Sequence, residues 1–232
     1  MREIIFDTET TGFDPQNGDR MVEIGCIEMI DRIETGRTFH CYYNPERAMP
    51  KAAENVHGLS DVFLSDKKLF ADGAEELLDF LGDAKLVAHN AQFDFNFLNA
   101  ELLLCGYKEI SRFRMIDTLA IAKSKHPGAK LSLDALCSRY GIDRSHRVKH
   151  GALLDAELLT QLYIELTGGR QIGLGLAEES KRQKDLANMQ PTSQRAERRP
   201  FMAPREHHAT AAEMERHKIF IEGIKDPLWA EI

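Results

Sequence analysis

Apolar residues along this chain recur with two different periods, and the period changes mark the elements. Ile4-Ile5-Phe6 is a short buried run and predicts a strand over 3–7. "VEIGCIEMI" (22–30) and "RTFHCYY" (37–43) predict two more strands. "AMPKAAENVHGLS" (48–60) reads as a loop with a short helical turn. Phe70, Ala74, Leu77, Leu78 and Leu81 fall at helical spacing and predict an amphipathic helix over 71–81. "KLVAHN" (85–90) predicts a short buried strand. Phe93, Phe97, Ala100 and Leu104 predict a second helix, to about Cys105. "RMIDTL" (114–119) ends a further strand. Ser132 is placed to cap a helix that Gly141 terminates. "ALLDAELLTQLYIEL" (152–166) predicts the last long helix, ended by Gly168-Gly169. Strands come first as a meander and then alternate with helices, which implies an α/β layer structure around a mixed sheet.

Beyond Gly169 the pattern breaks. Residues 178–208 are rich in charge, Gln, Pro and Ala and poor in large apolar side chains, the composition of a flexible tether. Apolar spacing then returns. Thr210-Ala-Ala-Glu213 reads as a capping box. Met214, Phe220, Ile221 and Ile224 line one face of a short helix, and Pro227-Leu228-Trp229 follows. The expected organisation is a globular domain over 1–170, a linker over 171–208 and a C-terminal segment over 209–232.

Bulk properties narrow the class. Hydrophobic residues make up 43% of the 232, enough for an ordinary core. Without an apolar run of 18 residues or a basic flank at the start, the expectation is neither a membrane span nor a signal peptide. Cys26, Cys41, Cys105 and Cys137 show no metal spacing, so they read as free thiols in a reducing cytoplasm. The net charge of −7 argues against a protein that coats duplex DNA. If nucleic acid is the substrate, the grip must be short or helped by cations.

Candidate chemistry starts at "FDTETTG", where Asp7 and Glu9 follow the first apolar run. Two residues apart on a strand, they point the same way and repel. A divalent cation relieves that repulsion, and carboxylate oxygens suit Mg²⁺ or Mn²⁺. A solvated acidic strand end remains open on these two residues alone. A phospho-aspartyl nucleophile is disfavoured, because Glu9 stands where such sites carry a second Asp. Asp94, in "HNAQFDFNF", and Asp155, in "HGALLDAELL", also sit beside apolar sequence at element ends. Singly, each reads equally as a helix-dipole partner. Together the four carboxylates fit a two-metal phosphodiester site. His150, five residues before Asp155, is the candidate base if it lies on the loop ahead of the helix.

The motifs "FDTETTG" (Asp7, Glu9), "HNAQFD" (Asp94) and "HGALLD" (His150, Asp155) resemble, in order and spacing, those of the DEDDh family of 3′→5′ exonucleases. The resemblance spans about residues 3 to 168. "HGALLDAELLTQLYIELTGGRQ" and "VHGLSDVFL" bring it closer to the proofreading exonucleases of bacterial replicative polymerases. It implies a ribonuclease-H-like fold and hydrolysis at DNA 3′ ends that releases nucleoside 5′-monophosphates. It implies two divalent cations, Mg²⁺ or Mn²⁺, on Asp7, Glu9 and Asp155, with Asp7 bridging and Asp94 supporting the second. His150 would be the general base, and His57, in "NVHG", would contact the terminal nucleotide alongside Asp7, Glu9 and Asp155. For His89 and Asn90 a structural role is equally open.

The resemblance weakens beyond Gly169. Gln171, Leu174 and Leu176, in "QIGLGL" (171–176), resemble a sliding-clamp peptide, against the alternative of a plain linker. Residues 209–232 would dock on the polymerase alpha subunit, against the alternative of packing back on the nuclease domain. A small theta-like subunit is a further possible partner. Two alternatives stay open at this level: a stand-alone exonuclease acting on RNA 3′ ends, and a non-catalytic scaffold of the replisome.

Overall fold

The computed structural model describes residues 1–145, 149–168 and 208–224. It divides into two units, residues 1–174 and 175–232.

In the first unit a five-stranded sheet is built from β1 (Arg2–Thr10), β2 (Met21–Ile30), β3 (Ile33–Tyr42), β4 (Lys85–Ala88) and β5 (Met115–Asp117). The strand order is β3-β2-β1-β4-β5. β1 pairs antiparallel with β2 and β2 with β3, whereas β1–β4 and β4–β5 are parallel. The sheet is therefore mixed, as the meander-then-alternation pattern requires. Around it lie α1 (Lys51–His57), α2 (Asp61–Leu64), α3 (Phe70–Leu81), α4 (Ala91–Leu104), α5 (Thr118–Lys125), α6 (Leu133–Tyr140) and α7 (Ala152–Leu166).

β1 is central, and its alternation decides which layer each side chain meets. Ile4 and Phe6 join one core with Phe70, Leu77, Phe95 and Leu98 of α3 and α4. Ile5 joins the opposite core with Leu136, Leu159 and Leu162 of α6 and α7. Each layer is clamped to the sheet by a buried polar contact. On the α4 side, Glu101 accepts from Arg20 Nε (2.8 Å), Arg20 Nη2 (2.9 Å) and the Met21 amide (3.0 Å). On the α7 side, the Tyr163 hydroxyl donates to Glu3 at 2.8 Å. Gly25 lets α7 settle onto β2, because a Cβ there would come within 2.3 Å of the Leu153 backbone.

Several boundaries differ from the sequence reading. β1 runs on to Thr10, so Glu9 as well as Asp7 lies on the strand. Within 48–60 the short helical turn is a seven-residue helix, α1, and a second helix, α2, starts directly after the segment at Asp61. Thr118 and Leu119 open α5 instead of closing a strand. The expected helix at 152–166 and the Ser132 and Gly141 caps are present; Ser132 accepts from the Ala135 amide and Gly141 has φ 68°. In the second unit α8 (Ala211–Glu222) carries the Thr210–Glu213 capping box, and Met214, Ile219 and Phe220 are exposed. Gln171, Leu174, Leu176, the 178–208 stretch and Pro227-Leu228-Trp229 lie outside the described residues, apart from His208.

Candidate active site

Three elements bring the four acids to one end of the sheet. Asp7 and Glu9 lie on the α7 face of β1, and Thr8 between them faces α4. Asp155 sits in the first turn of α7 and is 2% exposed. Asp94 sits in the first turn of α4 and is 3% exposed. Thr8 Oγ1 donates to Asp94 Oδ1 at 2.8 Å, which ties the α4 acid to the strand that carries the other two. Both helices point their N-termini at the cluster, so backbone dipoles offset part of its negative charge.

The electrostatics show how close these groups are. Burial first, then the charges of Asp94, Glu9, Asp155 and Glu23, hold the Asp7 carboxyl well above the usual carboxylate range. Asp7 itself keeps a partial opening to solvent. Burial pushes Asp94 up to about 7, against the Thr8 hydroxyl that favours its charged form. Such crowding is costly for a protein with no cation at hand.

His150 precedes the α7 cap residue Gly151, and its Nδ1 lies 3.2 Å from Asp155 Oδ2. A loop position is thus what allows the two to meet across five residues. Among the described residues, ligand atoms of Glu9, His150 and Asp155 all lie within 4.8 Å of one another. Asp7 lies close enough to Asp94, Glu9 and Asp155 to feel the charge of each. A set of carboxylates with an imidazole and no thiolate fits hard divalent cations.

His57, at the end of α1, is buried. Its Nδ1 accepts from the Leu59 amide at 3.0 Å, which leaves the ring proton on Nε2. That Nε2 is buried and makes no hydrogen bond of ordinary geometry among the described residues, though the Thr10 backbone lies close enough to act on the ring. Burial lowers the pKa of His57, favouring the neutral ring. His57, Glu9, Thr10, Gly12, Phe13 and Phe93 help line a cleft of about 660 Å³. His89 faces elsewhere: its Nε2 donates to the Leu131 carbonyl (2.8 Å) and its Nδ1 lies 2.9 Å from Thr118 Oγ1.

Two residues near the site escaped the sequence reading. Glu23 is 2% exposed, pairs with Glu9 across the β1–β2 ladder and meets His40 Nε2 at 2.7 Å. Its signal was a lone acid inside the apolar run "VEIGCIEMI". Thr8 lay inside the first motif but carried no sign of its partner.

Residues 4–163 match the Exonuclease family. The DNA polymerase III subunit epsilon of Rickettsia felis is 47% identical over 227 residues, covering 97% of both chains. The subunit of the same name from Escherichia coli K12 is 42% identical over 197 residues, covering 82% of this chain and 81% of that one. Among solved structures, the nuclease domain of 3′hExo, a DEDDh family member bound to rAMP, superposes with a TM-score of 0.63 at 18% identity, covering 72% of this chain and 91% of that one. Exonuclease X in complex with 5′ overhanging duplex DNA gives a TM-score of 0.56 at 23% identity, with 71% and 90% covered. At those identities the superpositions speak to the fold, which is that of the DEDDh exonucleases.

Proposed function

This chain belongs to the exonuclease family and, within it, to the DNA polymerase III epsilon subunits; it is a 3′–5′ exonuclease, and we propose that it proofreads DNA 3′ ends inside the replicative polymerase. The observation that carries the site assignment is geometric: ligand atoms of Glu9, His150 and Asp155 lie within 4.8 Å of one another, and Thr8 ties Asp94 to the strand that bears Asp7 and Glu9.

In this reading Asp7, Glu9 and Asp155 would hold two divalent cations, Mg²⁺ or Mn²⁺, and Asp94 would support the second. Bound there, such ions supply an acidified water and charge stabilisation for a phosphodiester displacement. The protein's own groups do the rest. His150, on the loop directly ahead of α7 and beside Asp155, would take the proton of the attacking water. His57 Nε2–H donates to the terminal nucleotide, and its lowered pKa keeps it a neutral donor. The apolar walls of the cleft, Phe13, Val56 and Phe93, receive the terminal nucleoside. Only the last nucleotides are held, so an acidic chain suffices and a frayed, mispaired end is the better substrate.

Domain roles follow the same reading. Residues 1–170 are the nuclease, Gln171–Leu176 bind the sliding clamp, 171–208 act as a tether, and 209–232 dock on the polymerase alpha subunit. The exposed Met214, Ile219 and Phe220 of α8 support a docking role for that helix. A small theta-like subunit would bind the nuclease part. No helix of the described residues is long and apolar enough to cross a membrane, in keeping with a cytoplasmic replisome.

The test is release of nucleoside 5′-monophosphates from 3′-tailed DNA and from matched RNA, with and without Mn²⁺. Metal-dependent release from mispaired DNA ends is expected to exceed release from paired ends or RNA. Equal rates on RNA would favour a stand-alone RNA exonuclease, and no release would favour a scaffold.

A further inference from the structure

Asp94 lies one turn into α4, so the entry of that helix sets where its carboxylate stands. The entry is unusual. Its cap residue, Asn90, has φ 62° and ψ 48°, the left-handed region, and its side chain makes no capping hydrogen bond. A helix started this way leaves its first amides without the usual acceptor. The acceptor comes from another strand. Asp117 Oδ1, at the end of β5, accepts from the Asn90 amide at 3.1 Å and the Ala91 amide at 3.3 Å. The same oxygen caps its own helix through the Leu119 amide at 2.9 Å. β4 and β5 run parallel, with Ala88 opposite Asp117, so the two helix starts emerge side by side. His89 adds a second clip through Thr118 and Leu131.

We propose that Asp117 is a positioning residue for the exonuclease reaction: it staples the left-handed turn at Asn90 and so holds Asp94 against Thr8 and the carboxylate cluster. This rests on the exonuclease reading of the site. Asp117 acts mainly through the direction of the first turn of α4, and its charge also reaches Asp94. A supporting group of this kind typically changes metal affinity or turnover by roughly 10–100-fold when lost. Its oxygen matters as an acceptor, so an asparagine would serve nearly as well as an aspartate. Glycine at position 90 adopts the left-handed turn without strain and would lessen the need for the staple.

The experiment compares Asp117→Ala, Asp117→Asn and the double variant Asp117→Ala with Asn90→Gly in the full chain. Two quantities are read: kcat and KM on 3′-tailed DNA, and Mn²⁺ affinity by calorimetry without substrate. Expected are a roughly 10–100-fold loss in kcat and in Mn²⁺ affinity for Asp117→Ala with KM within about twofold, near-native behaviour for Asp117→Asn, and substantial recovery in the double variant. If Asp117→Ala does not fold, Asp117→Asn and the double variant carry the test, scored per folded molecule. Native kcat and Mn²⁺ affinity in folded Asp117→Ala would overturn the inference, as would Asp117→Asn as impaired as the alanine or a double variant with no recovery. Wild type and Asp7→Ala run alongside: an inactive wild type would sink the exonuclease reading itself, a different result from any of these.

Discussion

Thr8 and Asp94 are 86 residues apart in the chain and 2.8 Å apart at the site, the hydroxyl donating to the carboxylate. This bond ties α4 to β1 on one face of the sheet, at the residue between Asp7 and Glu9, which face α7. Thr8→Val keeps the shape and removes the donor, leaving a buried carboxylate short of a partner at a cost of roughly 1–3 kcal/mol. Chemical denaturation should report that loss together with reduced exonuclease activity, and Thr8→Ser should restore most of both.

Asp7→Ala and Asp155→Ala should each lower exonuclease turnover by roughly a thousandfold or more, the scale of several kcal/mol of lost metal-centred stabilisation. The fold should survive. Burial first, and then its acidic neighbours, hold Asp7 well above its ordinary pKa, so a neutral side chain there relieves both costs. Asp7→Asn without metal should therefore melt no lower than wild type at pH 8. Near-normal turnover in either alanine variant would show that the cation-holding groups lie elsewhere.

The raised pKa values set a pH dependence for the metal-free protein. The folded state keeps a proton on Asp94 up to about pH 7, whereas the unfolded chain gives it up near 3.8. Between those values the native state binds more protons than the unfolded state, so stability falls as pH rises. Melting temperatures in EDTA should drop from pH 5 to pH 8. Cations bind the ionised carboxylates, so Mn²⁺ should raise the melting temperature at pH 8 and much less at pH 5. At a hundredfold excess over Kd the gain is about 2.7 kcal/mol, or roughly 5–10 °C for a domain of this size.

His150→Ala should reduce kcat by roughly 10²–10⁴-fold, the usual span for a general base, with KM for tailed DNA little changed. A large rise in KM with kcat preserved would instead make His150 a substrate-binding group. Calorimetric Mn²⁺ titration of the variant separates the base from a ligand, since Glu9, His150 and Asp155 stand close enough to share one ion.

Deleting residues 209–232 should leave the specific exonuclease activity within about twofold, because the nuclease unit has its own two-layer core. The shortened protein should fail to co-elute with the polymerase alpha subunit. Retained co-elution would mean that the nuclease part carries the binding surface.

Much of this was legible along the chain because it is local. An acid directly after an apolar run announces itself, and so do a Ser cap, a Gly stop and a helix with heptad-like spacing at 152–166. Asp7, Glu9, Asp94, Asp155 and His150 stand out as candidates from their neighbours in sequence, and folding brings them to one end of the sheet; His57 entered through the family resemblance. Weak elements were not legible: α5, "TLAIAKSK", shows no apolar stripe, so its first two residues read as the end of the β5 strand. The start of β3 was missed because residues 33–38 of this edge strand are exposed and show no buried alternation. What only the tertiary structure decided is which distant groups meet. Thr8 with Asp94, Glu23 with His40, and Asp117 with the amides of Asn90 and Ala91 depend on strand order and register, which no single stretch encodes. The sequence alone determined the reactive groups, since their chemistry is intrinsic to the side chains. Their pKa values and supports came from folding, because desolvation and charge proximity exist only once the layers pack.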